Sequence, residues 1–135
     1  MAAAPDTKSD LLLSGVPEGL DALVLARLVA DSASTDGHGL HIHVARDDRR
    51  LDALEMGLKF FAPDVRVVSF PAWETVPYDR VGPNADIVAK RITALGKLAL
   101  GARKEATLLL TTVNAILQRL PPKSFLKAHL KTLAA

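Results

Sequence analysis

The sequence predicts an α/β fold, a three-layer parallel sheet with helices on both faces, and three observations predict it. Short β-type runs alternate with longer amphipathic stretches along the chain. Such alternation implies parallel strands joined by right-handed crossovers, which place helices on both sides of one sheet. At 135 residues, with 49% hydrophobic and 24% charged side chains, the chain has the size and composition for one real core.

The elements follow in order. Residues 1–10 read as a mobile lead-in and 11–135 as a single domain. Leu11 to Leu13 is a short apolar run that ends at Ser14-Gly15, so it reads as a buried strand entering a tight turn. Leu20, Leu23, Val24 and Leu28 then fall at helical spacing, and the helix is expected to fade in the polar Ser32–Gly39 segment. Leu40 to Ala45 is a second strand. Asp47 or Asp48 can cap a helix carrying Leu51, Leu54, Leu58 and Phe61, which Pro63 ends. Val65 to Phe70 is a third strand, rich in β-branched residues.

Pro71, Pro77 and Pro83 make the next segment irregular. Pro83 fits the first turn of a long helix with Val88, Ile92, Leu95 and Ala99 on its apolar face. Thr107 to Thr111 is a fourth strand, followed by a short helix around Val113 to Leu120 and a break at Pro121-Pro122. The tail after Lys123 reads as either a strand or a short helix.

Composition excludes several functional classes. The absence of cysteine rules out disulfides and thiolate metal sites and suits a reducing compartment. No apolar run reaches the ~20 residues that span a bilayer, and the N-terminus lacks signal-peptide character, so the expected location is the cytoplasm. The formal charge of +2, averaged over the whole chain, is too thin a field to argue nucleic-acid binding.

The loop after the first strand is the usual phosphate site in such folds. A working loop reads G-x-x-x-x-G-K-S/T, with glycines that free backbone amides for phosphate, a lysine for charge and a hydroxyl for magnesium. Here the junction carries Ser14, Gly15, Gly19, Leu20 and Asp21. With Gly19 as the second glycine, Ser14 replaces the first, Leu20 the lysine and Asp21 the hydroxyl. Starting from Gly15 puts Asp21 at the lysine. Both registers fail, and Glu18 and Asp21 at a helix start would repel an anion. The site therefore reads as a degenerate phosphate loop, with Gly15 and Gly19 as turn residues rather than ligands.

Other candidate groups are weaker. His41 and His43 share one strand face, about 7 Å apart from the strand rise, but no third metal ligand is indicated. No nucleophilic triad, paired carboxylates or zinc spacing supports catalysis. The Pro71–Pro83 segment holds Trp73 and Tyr78, the only Trp and Tyr, beside Glu74 and Asp79. These four form a candidate interaction loop, or else the two aromatics tuck back and pin it. Lys90, Arg91, Lys97, Arg103 and Lys104 line or follow the long helix, either as a solvated face or as a DNA-contacting one.

The Trp73–Asp79 block (WETVPYD), Lys90-Arg91-Ile92 and the run from Val113 to Pro121 (VNAILQRLP) resemble the N-terminal region of bacterial transcription-repair coupling factor. The resemblance covers roughly Leu11 to Leu126. It implies a UvrB-like module that has lost its ATPase motif, hence a helicase-like subdomain with a degenerate phosphate loop, truncated from a longer chain. It also implies a parent that translocates on DNA with ATP and magnesium at a downstream motor, displaces stalled RNA polymerase and recruits UvrA through downstream domains. For this fragment it implies a non-catalytic structural role without a cofactor, packing on other domains of the parent, and exposed apolar surface that favours self-association. The rival expectation is a nucleotide-binding, ATPase-type domain using Gly15–Asp21, with weak phosphate or DNA binding.

Overall fold

The structure, a computed structural model, describes residues 12–36, 39–75, 80, 82–99 and 106–129. Eight elements follow one another: α1 (Asp21–Asp36), β1 (Leu40–Ala45), α2 (Asp48–Phe61), β2 (Arg66–Phe70), α3 (Ala85–Ala99), β3 (Thr107–Thr112), α4 (Val113–Ile116) and α5 (Lys123–His129). The three strands form one parallel sheet in the order β1-β3-β2. Every residue of β3 is buried, as befits a central strand without a charged side chain.

Alternate β3 side chains look to opposite faces, and the core divides accordingly. Leu108 and Leu110 join Ala22, Ala26 and Val29 of α1 and Leu51, Leu54 and Leu58 of α2. Leu109 joins Val68, Phe70, Ala72, Ala94 of α3 and Ala115 of α4 on the other face. Helices thus cover both faces, which confirms the three-layer α/β prediction. Each fully buried leucine contributes about 1.5–3 kcal/mol by leaving water.

Local chemistry explains the boundaries. The Asp47 side chain accepts a hydrogen bond from the Arg50 amide at 2.8 Å and starts α2. Thr112 caps α4 by accepting from the Ala115 amide at 3.3 Å. Gly57 lets α1 approach α2 closely, because a Cβ built there would lie 2.6 Å from the Ala22 methyl.

Five expectations need correction. Leu12 and Leu13 are not in a strand and stand 90% and 49% exposed. The described sheet has three strands instead of four, β3 being paired on both sides by β1 and β2. α1 runs on to Asp36, and Ser32 joins it by donating to the Leu28 carbonyl at 2.9 Å. α3 begins at Ala85, after Pro83, with the Asn84 side chain accepting from the Asp86 amide. Its buried face carries Arg91, Ala94 and Ala99, whereas Ile92 is exposed. The tail forms a helix, α5, over its described part. The 1–10 lead-in lies outside the described residues.

Candidate functional site

Two places gather the residues that the sequence singles out. The first lies at the carboxyl end of β1, where the loop before α1 meets the first turn of α2. Gly15 and Gly19 adopt φ of 74° and 99°, the left-handed backbone that favours glycine, and so turn the chain there. Ser14 and Leu20 are exposed. Asp21 opens α1, and its carboxylate accepts from the Ala22 amide and pairs with the Arg50 guanidinium. Glu18 meets the same guanidinium at 3.0 Å. The two acidic side chains that sequence reading set against an anion are therefore held by a cation 29 and 32 positions away.

A cleft of about 440 Å³ opens beside this cluster, lined by Glu18, Arg46, Asp47, Arg49, Arg50 and Ala53. Its charges are largely matched internally, since Arg46 pairs with Asp47 at 3.0 Å. The Asp47 carboxyl is held below its ordinary value, first by the Arg50 amide and then by Arg46. His43 also belongs here. Burial pushes its pKa below the ordinary imidazole value and Arg50 adds to this, while Asp21 opposes them. The arrangement is a loop whose acidic side chains are neutralised by the chain's own Arg50.

The second place joins the β2 exit loop to α3 and α4. Arg91 is 2% exposed. Its guanidinium carbon lies 4.1 Å from the Phe70 ring centroid and 4.5 Å from that of Trp73. It donates to the Pro71 carbonyl at 2.6 Å and to the Gln118 side-chain oxygen at 3.0 Å, and that oxygen also accepts from the Trp73 amide at 3.0 Å. Glu74 accepts from the Asn84 amide at 2.8 Å, tying the loop to the start of α3. The Trp73 indole thus faces inward on a buried cation. Arg91, placed by sequence on a solvated or DNA-contacting face, is instead core, because two ring faces and two oxygens compensate its desolvation. Tyr78 and Asp79 lie outside the described residues, as do Arg103 and Lys104.

His41 and His43 share the α1–α2 face of β1, and the His41 Nε2 is buried without a hydrogen-bond partner among the described residues. No group of three His, Cys, Asp or Glu able to hold a metal occurs among the described residues. No helix of the described residues is long and apolar enough to cross a membrane. The opposite face of β1 is uncovered: Leu40, Ile42 and Val44 are exposed next to Ile116 and Leu120, which line an apolar groove of about 200 Å³.

No protein-family model matches the chain. The transcription-repair-coupling factor of Haemophilus influenzae is 32% identical over 116 residues, 86% of this chain and 9% of that protein. That of Rickettsia bellii is 40% identical over 73 residues, 53% of this chain and 6% of that protein. The Escherichia coli protein is 38% identical over 66 residues, 49% of this chain. The chain is homologous to part of transcription-repair-coupling factor. It spans only 6–9% of the length of these relatives.

Sequence reasoning missed Arg50 and Gln118. Gln118 carried a signal, since it lies in the QRLPP block that supports the resemblance. Arg50 carried none, because its partners are distant in sequence and near only in the folded chain.

Proposed function

We propose that this chain acts as a non-catalytic structural module within a transcription-coupled DNA repair translocase. Its work is to pack against other domains of that protein, while ATP and magnesium are used at a motor elsewhere. RNA polymerase and UvrA are engaged by those other domains, which also carry the motor's own DNA contacts. The observation that carries the reading is the Arg50–Glu18–Asp21 cluster: the chain's own carboxylates occupy the guanidinium at the loop where a nucleotide's phosphates would sit. The uncovered apolar face of β1 supports a packing role, since exposed contiguous apolar surface marks contact sites.

Calorimetric titration with Mg-ATP tests the non-catalytic half. No saturable heat is expected, and a micromolar isotherm that disappears in a Gly19→Val variant overturns the reading. Light scattering tests the packing half. Concentration-dependent self-association that persists in high salt and is abolished by Ile42→Asp is expected. A strictly monomeric chain at high concentration counts against it.

A further inference from the structure

The average charge of +2 conceals a strong segregation. Up to Asp86 the chain carries eight Lys and Arg against fourteen Asp and Glu, a net −6. After Asp86 it carries nine Lys and Arg against one Glu, a net +8. The fold converts this into a division in space. α1 and α2 cover one face of the sheet, and α3 and α4 cover the other. α5 packs against α3, so the described cations of these two helices lie in one layer.

Within that layer Lys97, Arg119, Lys123, Lys127 and His129 are all exposed. None of them has an ion pair among the described residues, in contrast to Arg46, Arg50 and Lys59 of the opposite layer. Lys123 and Lys127 stand one turn apart on α5, so their ammonium groups share a side. The Phe125 ring, itself exposed, stacks on the His129 ring at 4.2 Å between centroids. Lys90 is set apart, because it lies within electrostatic reach of Glu55 on α2.

We propose that the α3–α5 layer is a nucleic-acid-binding surface, with Lys97, Arg119, Lys123 and Lys127 contacting backbone phosphates. Charge complementarity carries the inference: unpaired cations gather on one face, where the acids Asp86 and Glu74 sit at the start of α3 and none stands among the cations of α5, and such a surface matches a polyanion. Like the phosphate contacts of other proteins, these provide affinity without sequence preference. The inference does not rest on the proposed packing role, and either can fail alone.

The test is fluorescence anisotropy of a labelled 20-base-pair duplex DNA titrated with the 135-residue chain between 50 and 200 mM NaCl. Binding is expected to weaken with salt with a log–log slope of roughly −3 to −4, as about four phosphate contacts require. Lys123→Gln with Lys127→Gln should weaken binding several-fold at 50 mM NaCl and reduce the slope by about 2. α5 has no buried residue, so this variant keeps its fold, which circular dichroism checks. Arg27→Gln, on the opposite layer, should change neither quantity. Absence of binding at 50 mM NaCl, or a slope unmoved by the α5 variant, overturns the proposal. So does tighter binding of polyglutamate than of DNA, or salt-sensitive self-association in which the basic layer meets the acidic layer of a second copy.

Discussion

Arg50 and Arg91 are both drawn into contacts remote in sequence, yet they do opposite work. Arg50 lies at the surface and is satisfied by charge, from the carboxylates of Glu18 and Asp21. Arg91 is buried and satisfied by shape, with two aromatic faces and two neutral oxygens around a planar cation. Water and salt already screen the first arrangement, so its removal loses little. The second has no such substitute, and removing it leaves a void between rings and two oxygens without their donor. The difference also separates two uses of the fold: at the carboxyl end of the parallel sheet, the α1–α2 side is neutralised by ion pairs, and the α3–α4 side is locked inside.

Breaking the buried arginine should have the largest effect. Arg91→Ala is expected to cost about 3 kcal/mol in urea denaturation, from lost packing, ring contacts and unpaired oxygens. Arg91→Lys should recover only a small part, because an ammonium cannot stack between two rings as a plane does. Equal stability of the lysine variant and the native chain would show that charge, not shape, holds this cluster.

Gly57→Ala acts next, by pushing α1 away from α2 and so straining the approach of Asp21 to Arg50. A loss of about 1–2 kcal/mol is expected from overpacking against Ala22, exceeding the gain in helix propensity. Thermal denaturation decides the sign. Asp47→Ala removes the cap of the turn that presents Arg50 and should lower the melting temperature, though less than Gly57→Ala, by the same measurement. Arg50→Ala should cost less than about 1 kcal/mol, and the difference should shrink in 0.5 M salt. A salt-independent loss above 2 kcal/mol would mean that the two arginines are alike after all.

The smallest effect sharpens the surface side of the comparison through pH. The folded chain holds the His43 pKa below the unfolded value of 6.5, chiefly by burial. The unfolded state therefore binds more protons in the interval between the two values, and stability rises with pH across it. His43 contributes fully above 6.5, and that contribution is lost as pH falls from 6.5 to the folded value. Because Arg50 lowers this pKa, Arg50→Gln should narrow the interval, which NMR titration of the His43 ring measures directly.

Much of the architecture was legible before folding. β1 matches its predicted bounds, and Asp47 caps α2 where the aspartate pair suggested. Those features are local: a cap spans three residues and a strand's pattern lies within its own run. The failed first strand shows the limit. Leu12 and Leu13 have strand-like composition, but a strand forms only where the fold brings it alongside another, and no local pattern reports that. The apolar face assigned to α3 holds at Leu95 and Ala99 and fails at Ile92, whose neighbour Arg91 is buried instead, for a related reason. A rule that counts arginine as polar cannot anticipate two rings waiting on another segment.

The sequence by itself determined the α/β alternation, the bounds of β1 and the Asp47 cap of α2, because each depends on side chains within a few residues. Only the tertiary structure decided which cation meets Glu18 and Asp21, that Arg91 is core, and that a nearly neutral chain carries a basic layer opposite an acidic one. Those outcomes depend on which segments the sheet order brings together, and a guanidinium is buried or solvated according to the partners it finds there.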